Sequence, residues 1–390
     1  MKYYGNTVRL GIIINSIYAY GGEERVVTLM ANEWAKKYDV TIYTFESRAA
    51  EGQVNDYGLS DSITVKRVAY SFGRFTASAL SIYRFYIGQI PKWINNRVYY
   101  PKKNIQEWID RINDDEIDVL VAVSGLNSFL VGRFADKIKA KTIAWEHSSY
   151  EGYFHPKTGF YRGREAEYGQ YVGKLDKIIL LNKDSLEKWE KNTGVKAKVM
   201  HNPISFKSDE VVNPDAKCIV ACGRLETEKA YNDLIDIFSR FQNKHSDWKL
   251  MIVGGGRLQG ELQQQIDELN ISDRVTITGY SNDVRSEILK GSIFAMTSRW
   301  EGFPMTVIEA YEVGLPVIAY DIPAIKESVI DGYNGAWVPA FDSEAFVAKL
   351  SEIADNQELL DTMSSNAKSE AKKYSIESIL AEWDRVFEEL

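Results

Sequence analysis

The 390 residues contain only two cysteines, four histidines and nine prolines. So few cysteines exclude a disulfide-stapled scaffold. Cys218 and Cys222 fall on one face of the strand-like run 217–222, too far apart to bridge, and read as core thiols in a reducing compartment. No group of His, Cys, Asp and Glu has metal-ligand spacing and no Asp-x-Asp triplet occurs, so neither a metal nor any other cofactor is expected. Long apolar runs are missing as well. Nowhere do eighteen such residues follow one another, which argues against a membrane-spanning helix. Residues 1–6 lead directly into a strand without signal-peptide architecture, so a cytoplasmic protein is expected.

Acidic residues are absent from one long stretch. Residues 62–106 hold no Asp or Glu but carry Lys66, Arg67, Arg74, Arg84, Lys92, Arg97, Lys102 and Lys103, interleaved with aromatics. That composition predicts peripheral docking on an anionic membrane, at the inner face of the cell membrane. The overall charge of −8 hides a polarity. Residues 1–203 hold 29 basic and 23 acidic side chains, whereas residues 204–390 hold 18 and 32. The two halves therefore face different partners, and no nucleic acid is expected among them.

What is present is an alternation of strands and helices. The length predicts two domains. Apolar strands are expected at 8–15, 40–45, 119–124, 141–145 and 177–181, with a helix at 23–38. The rhythm breaks at the polar stretch 203–217 and restarts with strands at 219–222, 250–253, 275–278, 293–297 and 317–320. This predicts an α/β protein of two Rossmann-like domains, residues 1–203 and 204–374. Residues 375–390 repeat apolar side chains at helical spacing, as in a final packing helix.

The most informative segment is Arg299-Trp300-Glu301-Gly302-Phe303-Pro304-Met305-Thr306-Val307-Ile308-Glu309. Two carboxylates stand eight residues apart, one before and one inside an expected helix. Pro304 suits a first helical position, and the amides of Met305, Thr306 and Val307 are expected free at the helix start, near the carboxyl end of a strand. Glu301 would take sugar hydroxyls and Glu309 a ribose. A second element, Gly223-Arg224-Leu225-Glu226-Thr227-Glu228-Lys229, also follows a strand, so Arg224 can fork onto phosphate oxygens while Lys229 adds a point charge. Gly21 and Gly22 open the first helix, and Gly254 begins a glycine turn after another strand. His147 ends the strand-like run 142–147.

The segment 299–309 resembles the E-x7-E signature of retaining GT-B glycosyltransferases of family four, and 223–229 resembles that family's G-R-L-x-x-x-K element. Where the family continues with glycine, this chain has Ala230. The Gly21–Gly22 loop is similar to the family's G-G-x-E-R loop, which approaches the donor phosphate from the opposite domain. The resemblance implies a GT-B fold with two Rossmann-like domains facing across a cleft. It also implies a final helix that packs back on the first domain, and His147 beside the donor sugar. It implies catalysis by His147, Arg224, Lys229 and Glu301. Substrate binding then falls to Gly21, Gly22, Gly223, Gly254, Gly302, Phe303, Pro304, Met305, Thr306, Val307 and Glu309. The expected activity is metal-independent, retaining transfer of a hexose from a UDP-sugar donor to a glycan or lipid-linked acceptor. The alternatives are a catalytically silent GT-B subunit supporting a partner transferase, or a GT-B epimerase.

Overall fold

The computed structural model describes residues 7–19, 21–45, 57–68, 100–155, 159 and 161–390. The basic segment's Arg74, Arg84, Lys92 and Arg97 lie outside the described residues. The chain divides into two compact units. The first comprises residues 1–181, 185–199 and 384–390, and the second 182–184 and 200–383.

The first unit is built on a parallel sheet of β1 (Arg9–Ile14), β2 (Asp39–Thr44), β3 (Thr64–Arg67), β4 (Val119–Val123), β5 (Lys141–Trp145), β6 (Lys177–Leu180) and β7 (Lys198–Val199). Their spatial order is β3-β2-β1-β4-β5-β6-β7. The central strands are unbroken apolar runs because both faces are covered, and β4 is buried at every position. The first helix, Gly22–Trp34, stops four residues earlier than the sequence suggests. Its end tightens: the amides of Lys36 and Lys37 bond three residues back, to Glu33 and Trp34. Trp34 is buried between Trp145 and Phe387, at ring distances of 6.0 and 5.7 Å. Phe387 belongs to the last helix, Ile376–Glu388, whose end is also tied by Lys37–Asp384 at 2.8 Å.

In the second unit β8 (Cys218–Cys222), β9 (Lys249–Val253), β10 (Val275–Gly279), β11 (Ile293–Met296), β12 (Val317–Tyr320) and β13 (Gly335–Val338) form a parallel sheet. The order is β10-β9-β8-β11-β12-β13. Its core gathers Ile219, Leu234, Phe238, Ile252, Phe346 and Leu350, all 1% exposed or less. Each such side chain contributes about 1.5–3 kcal/mol. The polar stretch 203–217 is pinned to this unit: amides of Ile204, Ser208 and Val212 donate to Tyr374, Glu312 and Val313. Cys218 and Cys222 form no disulfide and are only half-buried, a correction to the core placement, because they stand at the two ends of β8.

Strand order reverses between β1 and β4 in one sheet and between β8 and β11 in the other. At such a switch point the connections leave in opposite directions and open a crevice beyond the strands' carboxyl ends.

Candidate functional site

The second unit's switch point collects most of the residues singled out above. Leaving β8, Gly223 has φ +155, and leaving β9, Gly254 has φ +144. A Cβ on Gly254 would lie 2.0 Å from the Gly223 carbonyl oxygen, so only glycine lets the two turns touch. Two backbone bonds lock them, Gly223 to Val253 and Leu225 to Gly255, each 3.0 Å. Arg224 is thereby placed outward with its side chain 65% exposed, 3.6 Å from the Glu228 carboxylate.

Lys229 closes a short 3-10 turn, Thr227–Lys229. Its ammonium donates to the Glu301 carboxylate at 2.6 Å, with both side chains mostly covered. The Thr297 hydroxyl, at the end of β11, meets the carbonyls of Lys229 and Ala230 at 3.0 Å each. The loops after β8 and β11 are thus tied by a charge pair and a hydroxyl. Ala230 stands at φ +49, the left-handed conformation that suits glycine.

The helix after Glu301 is Met305–Glu312, with Pro304 as its cap and not its first residue. The expected free amides are in part already bonded: Met305 donates to Phe303 and Val307 to Pro304, at 3.0 and 2.9 Å. The chain folds back on itself over 303–307, which uses those donors. Phe303, Met305 and Val307 are buried, and Phe303 stacks on His201 at 5.2 Å. The Gly302 carbonyl accepts from Asn182 at 2.6 Å. Thr306 is half-buried. Glu309 is wholly buried, and its carboxylate accepts from the Ser205 hydroxyl at 2.7 Å.

Tyr280 was missed by sequence reasoning. It follows β10, is 71% exposed, and its ring lies where a Cβ on Gly255 would be, 2.5 Å away. The signal was available: a large aromatic directly after a strand end, opposite a triple glycine.

In the first unit Gly21 and Gly22 begin the helix after β1. Gly21 is extended, at φ −177, so its dihedral does not demand glycine; a Cβ there would instead strike the Glu24 carboxylate. His147 follows β5, its ring 4.5 Å from that of Trp145. Burial pushes its pKa down to about 3, so it is neutral at physiological pH, and its Nε2 has no hydrogen-bond partner among the described residues. Two further residues had been passed over. The Ser124 hydroxyl, after β4, donates to the Glu23 carboxylate, and Glu23 is pushed up to about 7, chiefly by burial.

Among the described residues no group of three or more His, Cys, Asp or Glu is placed to hold a metal ion, and no helix is long and apolar enough to cross a membrane.

Residues 204–370 match the family model described as glycosyl transferases group 1. An uncharacterised glycosyltransferase of Haemophilus influenzae is 26% identical over 96% of this chain and 98% of its own length. The amylovoran biosynthesis glycosyltransferase AmsD of Erwinia amylovora is 25% identical over 97% and 99%. Among solved structures, Anabaena HepE in complex with UDP and glucose superposes with a TM-score of 0.74, over 98% of this chain and 100% of that one, at 17% identity. TarM superposes with a TM-score of 0.76 over 98% and 99%, at 14% identity. At such identities the structural likeness establishes the shared fold.

Proposed function

Starting from a GT-B protein whose residues 204–370 form a group 1 glycosyltransferase domain, we propose a retaining, metal-independent hexosyltransferase. It moves the sugar of a UDP-sugar to a lipid-linked or polysaccharide acceptor. The observation that carries this reading is the Lys229–Glu301 pair at 2.6 Å beside the exposed Arg224. The pair brings together a cation suited to phosphate and a carboxylate suited to sugar hydroxyls.

Arg224 and Lys229 neutralise the diphosphate as charge grows on it, in place of a divalent metal. Fixed donors of this kind are worth about 3 kcal/mol each in the transition state. Glu301 orients the hexose hydroxyls. Glu309, held by Ser205, takes the ribose. The backbone of Gly223, Gly254, Gly302 and the turn from Phe303 through Pro304, Met305, Thr306 and Val307 lines the donor. Gly21, Gly22 and the neutral His147 serve its phosphate and sugar ends. Retention follows from attack on the face that the diphosphate leaves, with the departing phosphate oxygen taking the acceptor proton. Support for a UDP-sugar comes from the HepE likeness, and support for a glycan acceptor from that to the amylovoran enzyme.

The test is UDP release from UDP-glucose, UDP-galactose and UDP-N-acetylglucosamine by purified protein, with and without lipid extract, in the presence of EDTA. Release that survives EDTA and an α-linked product by NMR are expected. Strict dependence on added magnesium or manganese overturns the metal-independent reading; no release from any donor leaves a silent subunit.

A further inference from the structure

The carboxyl ends of β11, β12 and β13 carry a second set of groups, which the donor does not use. β12 pairs with β11 on one side and β13 on the other, so the segments leaving the three strands emerge side by side. From β11 come Arg299 and Trp300, from β12 its last residue Tyr320, and from β13 Phe341. Phe341 stands at φ +66, the one aromatic residue in the left-handed region among the described residues. That conformation crowds a Cβ, and a bulky side chain there is an outlier. Burial does not account for it, since Phe341 is 57% exposed. Its ring rests against that of Tyr320 at 5.8 Å, and Tyr320 packs on the core residue Phe346 at 5.3 Å. A rigid support thus holds an apolar ring out in solvent, at a backbone cost that packing does not offset. Strain kept in this way points to a ligand.

The charges around the ring say which kind. The Arg299 guanidinium lies 5.8 Å from the Phe341 ring centre and 3.8 Å from the Asp233 carboxylate. Burial pushes the Tyr320 hydroxyl up to about 12; Asp233 and Asp342 add to this, and Arg240 and Arg299 oppose them, two charges of each sign. The Arg299 amide donates to the Glu228 carbonyl at 2.7 Å, and the Glu228 carboxylate stands 3.6 Å from Arg224. Trp300, 48% exposed, leads directly into Glu301. Exposed aromatics therefore lie among paired charges, on a surface of no net sign that continues to the donor carboxylate. Such balance gives an anionic lipid or a phosphorylated group no advantage. An uncharged sugar chain suits it: the C–H faces of its rings lie on the aromatics, and its hydroxyls donate to carboxylates and accept from the guanidinium.

We propose that Phe341, Trp300 and Arg299 form a holding surface for an uncharged polysaccharide, the stretch of the acceptor chain distant from its reacting hydroxyl. This deepens the glycosyl-transfer reading above and rests on it for calling the chain an acceptor. The surface belongs wholly to the second unit. Stacking reads the shape of a ring face more than the identity of each hydroxyl, so a single sugar is held weakly. Affinity rises with chain length, because each further ring that meets the surface binds as part of a molecule already held.

The test runs the full chain through native gels cast with dextran, galactan or galactomannan, which slow a protein that binds them. The wild type is expected to be slowed by at least one polymer. Phe341→Gly removes the ring and suits the left-handed backbone, so the fold is kept, as thermal melting checks. It should weaken polymer binding about tenfold and Trp300→Ala about threefold, whereas Phe341→Tyr, which keeps a stacking face, should bind as the wild type does. Calorimetric UDP affinity should be unchanged in all three. A wild type that no polymer slows, or Phe341→Gly slowed as much as the wild type, overturns the assignment. Self-association in sedimentation that Phe341→Gly abolishes also overturns it, because the patch would then cover a second copy. A wild type that binds polysaccharide but neither binds nor releases UDP removes the glycosyl-transfer reading and leaves the sugar-holding surface standing.

Discussion

At the carboxyl ends of β8 and β11 a lysine is held 2.6 Å from a glutamate, beside an exposed arginine. At the same position in the other sheet, beyond β1 and β4, a glutamate is held by a serine hydroxyl over a buried set of tyrosines. Both units thus concentrate polar groups where their strand order reverses, yet they furnish the place oppositely. The second unit offers two cations, Lys229 and Arg224, each beside a carboxylate. The first offers hydrogen-bond acceptors and a carboxyl group that burial keeps partly protonated. A shared topology decides where a ligand meets each sheet, and the side chains leaving the strands decide its charge.

The contrast is broken most severely by removing the cation. Lys229→Ala is expected to cut turnover about a hundredfold, on the order of 3 kcal/mol, and to weaken UDP binding, because Glu301 is left facing the diphosphate without its partner. Steady-state kinetics and calorimetry check this; unaltered UDP affinity would mean that Lys229 serves only to hold Glu301.

Separating the two carboxylates sharpens the contrast within the second unit. Glu309→Gln should weaken UDP itself about tenfold, as loss of one charged hydrogen bond does. Glu301→Gln should leave UDP affinity nearly intact and weaken only the intact sugar nucleotide. Equal losses of UDP affinity in both variants would refute this division of labour.

The smallest effect concerns the backbone that carries Lys229. Ala230 stands at φ +49, where an L residue costs about 1–2 kcal/mol relative to glycine. Part of the relief is offset by glycine's freer unfolded chain. Ala230→Gly should therefore raise stability by about 0.5–1 kcal/mol in denaturant melts, with UDP affinity little changed. A lower melting point would show that the Ala230 methyl, which is buried, contributes more through packing than its dihedral costs.

Much of this was legible in the chain itself. Unbroken apolar runs specify parallel strands because a strand covered on both faces has no polar side to show. Gly223, Gly254, Arg224, Lys229 and Glu301 could be singled out because they follow strand ends at short, fixed spacings, where local sequence dictates local geometry. The shorter first helix, Pro304 as a cap, and the amides of Met305 and Val307 already bonded were not legible. Each depends on one or two hydrogen bonds that local propensity does not rank.

The sequence by itself determined the two sheets and the identity of the groups at the second switch point. Only the tertiary structure decided which groups meet. Lys229 and Glu301 are 72 residues apart, and Glu23 and Ser124 are 101. Each pair is joined because two strands distant in the chain lie adjacent in a sheet. Sheet order is fixed by burying the apolar faces of all the strands together, a property that no single segment carries.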